Sequence, residues 1–267
     1  MKTYRVGIAG FGAIGKSLVK ALDSGIDGLR LTAIAVRDPA NPPDLTHCAN
    51  PPLVTTIAGL EAHCDIVIEC APAHLLPAIA EPFLRVGKKV VILSSGALLS
   101  HPELPELAAR HGGQILVPSG ALLGLDALFA AAQGIIHSVK MVTRKPVRGL
   151  VGAPYLEKNN INIADIVEPT LIFRGTPREA AIGFPANLNV SVSLALAGIG
   201  PDKTELEIWA DPKLSRNVHR VEVESDSASF SMEIQNIPSE NPKTGRITAQ
   251  SVIALLRKLV APVSIGT

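Results

Sequence analysis

The first half of the chain alternates short apolar runs with segments of helical periodicity. The runs are apolar almost throughout, as strands buried on both faces of a parallel sheet are. The predicted strands are Tyr4–Ala9, Leu31–Val36, Asp65–Ala71, Lys89–Leu93 and Gln114–Val117, and the predicted helices are Lys16–Leu22, Leu75–Val86 and Glu103–Arg110. Strand–helix repetition of this kind predicts an α/β fold with a doubly wound parallel sheet.

The second half has a different pattern, because several of its predicted strands alternate polar and apolar residues. Such alternation is typical of antiparallel or mixed sheets with one solvated face. The predicted strands are Ser138–Thr143, Leu171–Arg174, Thr204–Ala210, His219–Glu224 and Ala228–Ile234, and the predicted helices are Ala186–Leu196 and Thr248–Leu259. We expect a second, α+β domain, followed by a C-terminal helix that returns to the first domain.

A glycine-rich turn lies between the first predicted strand and the first predicted helix. Residues 10–15 are Gly-Phe-Gly-Ala-Ile-Gly. Between a strand and a helix, GxGxxG is the dinucleotide-binding fingerprint of the Rossmann fold. Its glycines allow a tight turn, leave room for the pyrophosphate and let the helix pack closely, while the helix N-terminus attracts phosphate. The predicted contacts to NAD or NADP are Gly10, Gly12, Ala13, Ile14 and Gly15.

Two charged residues follow the second predicted strand, where Rossmann domains choose between the two cofactors. An acidic side chain there binds the ribose hydroxyls, whereas arginine accommodates a 2′-phosphate. This chain has Arg37 and then Asp38. We expect both to lie near the cofactor, and the pair leaves the preference between NAD and NADP open.

The composition narrows the class of protein. The net charge of +1 and an aromatic content of 3% give no support for a nucleic-acid partner. Although the mean hydropathy is +0.30, no apolar run approaches the roughly 20 residues of a membrane span. The N-terminus does not have the features of a signal peptide, so we expect a cytoplasmic protein. The three cysteines are not at metal-ligand spacing, and we expect no metal site.

Several segments of the second half resemble the L-aspartate dehydrogenase family. They are residues 118–126 (PSGALLGLD), 184–190 (FPANLNV), 211–219 (DPKLSRNVH) and 241–244 (NPKT), in the family's order. The resemblance implies an NAD(P)-dependent homodimer that interconverts L-aspartate with oxaloacetate and ammonia through iminoaspartate, with a link to NAD biosynthesis. It also implies that His219 is catalytic and that Leu123 and Asn189 contact the nicotinamide. Leu123 is larger than the small residue expected there, so only a backbone contact is carried over.

The sequence around His219 also supports a functional role for this residue. On a strand, alternate side chains share a face, so His219 points inward with Val221 and Val223. An imidazole there can transfer protons near neutral pH, and a protonated His219 could also pair with a substrate carboxylate. The alternative is a structural histidine held by hydrogen bonds.

Other candidates are weaker. Asn187 and Asn189 flank the start of a predicted helix, where they could bind the nicotinamide carboxamide or cap the helix. A dicarboxylate needs cationic or N–H partners. The candidates are the side chains of Lys243 and Thr244 and the backbone of Ser119, Gly120 and Ala121.

Two alternative functions remain. One is another Rossmann-type oxidoreductase that acts on a small oxo or hydroxy acid. A sugar dehydrogenase would carry a lysine after the fourth strand, where this chain has Ser94-Ser95-Gly96. Lys145-Pro146 comes too late in the chain to fill that position. The other alternative is a non-catalytic NAD(H)-binding redox sensor, which would leave His219 without a role.

These observations divide the chain into three parts. Residues 1–125 form the predicted dinucleotide-binding domain. Residues 126–245 form the predicted domain for catalysis, substrate binding and dimerisation. Residues 246–267 form the C-terminal helix that packs back on the first domain.

Overall fold

The computed structural model describes residues 3–185, 188–239 and 245–267. Two compact units make up the chain. The first comprises Met1–Gly120 with Thr248–Ile265, and the second comprises Ala121–Ile247 with Gly266–Thr267.

The first unit is built on a parallel sheet with strand order β3-β2-β1-β4-β5-β6. Its strands are β1 (Tyr4–Ala9), β2 (Leu29–Ala35), β3 (Leu53–Thr55), β4 (Ile66–Glu69), β5 (Lys89–Ile92) and β6 (Gln114–Leu116). Its helices are α1 (Ala13–Asp23), α2 (Leu76–Arg85), α3 (Glu103–His111) and, from the C-terminal end of the chain, α8 (Ile247–Val260). The order reverses at β1, which has β2 on one side and β4 on the other, so a doubly wound sheet results.

The sheet of the first unit is buried on both faces, as its apolar strands predict. Two separate apolar clusters lie against it, one with α2 and α3 and the other with α1 and α8. Val252 and Leu256 of α8 are fully buried in the second cluster, beside Leu18 and Val19 of α1. The C-terminal helix therefore packs on the first unit, as we predicted.

The second unit is built on a mixed sheet with strand order β11-β10-β7-β9-β8. Its strands are β7 (Ile136–Lys145), β8 (Thr170–Gly175), β9 (Glu205–Ala210), β10 (Val218–Ser225) and β11 (Ser229–Gln235). Its helices are α4 (Leu125–Ala131), α5 (Pro154–Lys158), α6 (Pro177–Gly183) and α7 (Asn189–Ala197). The β7–β9 pair is parallel and the other pairs are antiparallel. The predicted α/β fold with a second, mixed sheet is confirmed.

Several short elements escaped the sequence analysis. Strand β3 has three residues at the edge of its sheet and follows two prolines, so it carries little periodicity. Helices α4, α5 and α6 have five to seven residues, too few for a clear apolar stripe. For α6 a signal was available, because Thr176 and Glu179 form a capping box at its start. No helix among the described residues is long and apolar enough to cross a membrane.

Candidate active site

The turn between β1 and α1 shows what each glycine of the fingerprint is for. Gly10 has a φ of +106°, and a Cβ there would lie 2.5 Å from the Cys70 carbonyl oxygen. A Cβ on Gly15 would collide with the Gly10 carbonyl oxygen. A Cβ on Gly12 would meet nothing within 4 Å. The fold therefore requires Gly10 and Gly15, whereas Gly12 keeps open the space above the turn.

The start of α1 is suited to an anion. Gly12 is its N-cap residue, no side chain caps the helix, and the first turn contains no acidic residue. The backbone N–H groups at Ala13, Ile14 and Gly15 thus belong to a helix start whose dipole attracts negative charge. These residues fit the pyrophosphate of a dinucleotide.

The two charged residues after β2 differ in their surroundings. The Asp38 carboxylate accepts hydrogen bonds from the Ala40 backbone N–H, at 3.1 Å, and from Asn41 Nδ2, at 2.5 Å. The bond from Asn41 is the main reason that the pKa of Asp38 is lowered. Arg37 is exposed and has no hydrogen-bond or ion-pair partner among the described residues. Asp38 is thus engaged within its own loop, and Arg37 is available to a ligand.

Glu69 is a polar residue of the first unit that the sequence analysis missed. It ends β4 beside Ala9 of β1, and it is fully buried. Its carboxylate accepts hydrogen bonds from the backbone of Leu93 and Ala71 and from both N–H and Oγ of Ser94, at 2.8–3.2 Å. Burial raises the pKa of Glu69 even though these donors oppose the shift. Glu69 ties the ends of β4 and β5 together next to the fingerprint turn.

His219 lies on the covered face of the second sheet, as its spacing predicts. It is 3% exposed, and its Nδ1 lies 3.2 Å from Oγ1 of Thr143 on β7. Burial lowers the pKa of His219 from 6.5 to about 3, and the positive charge of Lys145 acts in the same direction. The imidazole is therefore neutral near pH 7. In this state the ring can accept a proton, and the pairing of a protonated His219 with a substrate carboxylate stays a prediction.

Register places other polar side chains on the same face as His219. Thr143 is its partner on β7, and Lys145 lies two residues further along that strand. On the other side, Ile234 of β11 is its partner, and Asn236 lies two residues beyond. Side chains two residues apart on a strand share a face. We call Lys145, Thr143, His219 and Asn236 the polar row, and each is at most 4% exposed.

The polar row is not predictable from the sequence alone. Lys145 comes late in the chain, outside the first domain, and no local pattern distinguishes Asn236. Only the pairing of β7 and β11 with β10 brings these residues to His219. Alternation within each strand could have indicated their faces, but the register between strands could not be predicted.

The remaining predicted site residues have mixed outcomes. The N–H of Gly120 donates to Oγ of Ser251 at 3.0 Å, so it is not available to a substrate, which corrects that candidate. The carbonyl of Ala121 accepts from Nδ2 of Asn236. Leu123 is half-buried just before α4.

Ser119 lies with Gly120 in the irregular segment that precedes α4. Asn189 is exposed and is the first residue of α7, whose N-cap is Leu188, so Asn189 does not cap this helix. Asn187, Lys243 and Thr244 lie outside the described residues.

The structure also bears on metal chemistry. Within the described part of the chain, no group of three or more His, Cys, Asp or Glu side chains could hold a metal ion. Cys48, Cys64 and Cys70 are free thiols. Burial raises the pKa of all three, so they are poor nucleophiles.

The fold and the fingerprint turn define an oxidoreductase that uses NAD or NADP. Residues 10–118 match the NAD-binding domain described for homoserine dehydrogenase, and residues 126–259 match the family described as aspartate dehydrogenase, C-terminal. The chain belongs to the L-aspartate dehydrogenase family.

Individual relatives agree with this assignment. The chain is 59% identical to an L-aspartate dehydrogenase of Bradyrhizobium diazoefficiens, over 98% of this chain and 94% of the relative. It is 57% identical to L-aspartate dehydrogenase 3 of Bordetella bronchiseptica, over 98% and 97% of the two chains. A solved aspartate dehydrogenase of Thermotoga maritima superposes with a TM-score of 0.77 at 23% identity, covering 98% and 99% of the two chains. That structure supports the fold.

Proposed function

We propose that this protein is an NAD(P)-dependent L-aspartate dehydrogenase that interconverts L-aspartate with oxaloacetate and ammonia through iminoaspartate. The observation that carries the proposal is the polar row, in which a buried neutral imidazole lies beside a buried lysine. The chain also has a dinucleotide-binding turn. A buried lysine can bind a substrate carboxylate, and a neutral imidazole can exchange a proton with a substrate nitrogen, so the two residues suit an amino dicarboxylate. We also propose that the protein acts in the cytoplasm as a homodimer and that its imine product supplies NAD biosynthesis.

The overall reaction sets the tasks of the protein side chains. Aspartate, NAD⁺ and water give oxaloacetate, ammonium, NADH and one proton. When it is bound, the nicotinamide supplies the hydride acceptor or donor. The protein must then bind the dicarboxylate, take a proton from the substrate ammonium and remove one from the water that attacks the imine.

His219 is suited to the proton transfers because burial keeps it neutral. A neutral imidazole can accept a proton, whereas an imidazolium cannot. If the Thr143 hydroxyl occupies Nδ1, it orients the ring and leaves Nε2 for the substrate or for water. We propose His219 as the general base of the oxidative direction and, once protonated, as the acid of the reverse direction.

Lys145 is suited to a substrate carboxylate. It is buried on the same face as His219, and its charge opposes protonation of that imidazole. A carboxylate placed beside Lys145 would offset this repulsion and raise the pKa of His219. Binding of substrate would thereby make His219 a stronger base when it is needed. Lys145 is thus a proposed partner of a substrate carboxylate, and Lys243 and Thr244, which lie outside the described residues, stay candidates for the same role.

The proposed reaction is tested by following absorbance of the reduced cofactor with purified protein. We expect oxidation of NADH or NADPH that requires oxaloacetate and ammonia together. Equal turnover without ammonia would identify a hydroxy-acid dehydrogenase instead. Cofactor binding without turnover on any oxo acid would favour the redox sensor.

The role of Lys145 has a matched control on the same strand. Lys140 lies on the opposite face of β7, where it pairs with Glu207 at 2.9 Å. We expect Lys145→Met to raise the KM for oxaloacetate by about 10–100-fold, the effect of losing a charge-assisted hydrogen bond. Lys140→Met should leave that KM within about threefold of wild type. Equal effects of the two substitutions would remove Lys145 from the substrate site.

A further inference from the structure

Asn236 contains an unusual atom. Its side chain is 4% exposed, and its Nδ2 donates to the Ala121 carbonyl oxygen at 2.9 Å. That bond settles the orientation of the amide, because only the nitrogen can donate. The other amide atom, Oδ1, is buried and has no hydrogen-bond partner among the described residues.

A buried acceptor without a partner calls for a physical explanation. Folding removes such an atom from water, and no protein group replaces the hydrogen bond that water made. The unpaired acceptor therefore destabilises the native state. In proteins the missing partner of such an atom is an ordered water or a ligand. The ligand group that completes Oδ1 must be a hydrogen-bond donor.

The place of Asn236 in the sheet connects this atom with the proposed reaction. Its backbone N–H donates to the Asn217 carbonyl oxygen at 2.8 Å and extends the β10–β11 ladder by one step beyond Val218. Asn236 therefore shares the face of His219, at the same end of the sheet. Across that face, the neutral acceptor Asn236 lies on one side of His219, just beyond the end of β11, and the cation Lys145 lies on the other side, on β7.

We propose that Asn236 Oδ1 accepts a hydrogen bond from the substrate nitrogen, as the amine of aspartate, as the imine or as incoming ammonia. This assignment rests on the proposed function. Each of those nitrogen groups carries N–H donors, and a charged donor makes the stronger bond. A carboxylate has only acceptor atoms, so Oδ1 repels it and Lys145 attracts it. The polar row thus orients the substrate, with a carboxylate towards Lys145 and the nitrogen towards Asn236.

The same atom bears on reaction specificity. The keto oxygen of oxaloacetate is an acceptor, so it cannot satisfy Oδ1, whereas the N–H of the imine can. Asn236 therefore favours reduction of the imine over direct reduction of the ketone to a hydroxy acid. A site that leaves a buried polar group unpaired with the wrong substrate discriminates against that substrate.

Two substitutions separate this role from a structural one. Asn236→Leu removes both Oδ1 and the bond to Ala121, while Asn236→Asp keeps an acceptor but loses that bond. We expect the Leu variant to raise the KM for ammonia about tenfold or more, with the KM for oxaloacetate within about threefold of wild type. Its ratio of ketone reduction to imine reduction should rise. The Asp variant should keep the KM for ammonia within about threefold of wild type.

Control measurements make the outcomes distinct. Gln235→Leu, on the opposite face of β11, should change neither KM, and thermal melting should show that each variant is folded. Equal impairment by Leu and Asp, on both substrates, would mean that Asn236 only holds Ala121, and would overturn the assignment. If the Leu variant does not fold, a tenfold rise in the ammonia KM of the Asp variant overturns it too. Turnover by wild type without ammonia would overturn the proposed function as well.

Discussion

The proposed sites of the two units differ in kind, because one consists of backbone groups and the other of side chains. In the first unit the sheet is covered on both faces, and the proposed cofactor site is a backbone turn at the end of β1, where no side chain caps the following helix. In the second unit the proposed substrate site is the buried polar row at one end of the mixed sheet. A backbone site needs glycines in a short stretch of chain. A side-chain site needs strands in the correct register.

The difference also has an energetic side. The turn at Gly12 leaves open space and costs the fold little, since no atom lies within 4 Å of a Cβ placed there. The polar row buries a lysine, an imidazole and an unpaired amide oxygen, all of which are unfavourable in an apolar interior. We therefore expect substitutions in the row to change catalysis strongly, and those at the turn to change cofactor binding.

The largest effect is expected at His219. General acid–base catalysis contributes about 10²–10⁴-fold in rate, so His219→Ala should lower kcat by about that factor. Cofactor binding should stay nearly intact, because the nucleotide turn belongs to the other unit. Steady-state kinetics and calorimetry with NADH measure the two effects.

His219→Asn sharpens this test. Asparagine can keep a hydrogen bond to Thr143 but cannot carry a proton at neutral pH. If His219 transfers protons, the Asn variant should be as slow as the Ala variant. If the kcat of the Asn variant is within a few-fold of wild type, His219 only orients the substrate and does not transfer protons.

Two glycines of the fingerprint turn, both in the first unit, should respond differently to substitution. Gly12→Val places a branched side chain where pyrophosphate would lie, and overpacking of this kind costs about 1–3 kcal/mol or more. We expect weaker cofactor binding and an unchanged melting temperature. Gly15→Ala should instead lower the melting temperature, because its Cβ collides with the Gly10 carbonyl. Equal cofactor affinity of Gly12→Val and wild type would show that the nucleotide lies elsewhere.

Cofactor choice gives a smaller effect that is confined to the first unit. Arg37 is exposed, whereas Asp38 is held by Ala40 and Asn41. We expect Arg37→Ala to weaken the binding of NADPH more than the binding of NADH. The difference in binding free energy should be about 1–3 kcal/mol if a charge-assisted contact to the 2′-phosphate is lost. Titration of both cofactors measures the difference. An equal loss for the two would show that Arg37 does not contact the 2′-phosphate.

The last effect concerns acid stability and leaves catalysis and cofactor binding aside. The folded protein holds His219 neutral down to about pH 3, while the unfolded chain takes up the proton near pH 6.5. Between those values the unfolded state binds more protons, so this contribution to stability is full above pH 6.5 and is lost as the pH falls, by up to about 1.4 kcal/mol per pH unit. Urea unfolding of His219→Asn should show a weaker loss from pH 6.5 to 4.5. Identical pH profiles would contradict the low pKa of His219.

The sequence predicted different parts of the molecule with different success. The longer apolar runs predicted the strands of both sheets, and the observed ends of these strands lie within two residues of the predicted ends. The fingerprint turn was fully predicted, because strand, glycines and helix are consecutive in the chain. Glu69 was missed because three of the four hydrogen bonds to its carboxylate come from Leu93 and Ser94, more than 20 residues away. Short helices such as α5 lack the length that makes periodicity visible.

By itself, the sequence determined the class of fold, the nucleotide turn and the inward direction of His219. Each follows from neighbouring residues, through glycine geometry or through the alternation of a single strand. The tertiary structure decided that Lys145 and Asn236 lie on either side of His219, and that the imidazole is neutral. Both results depend on the pairing of strands that are distant in the chain and on the burial that this pairing produces. A local sequence pattern therefore cannot predict either of them.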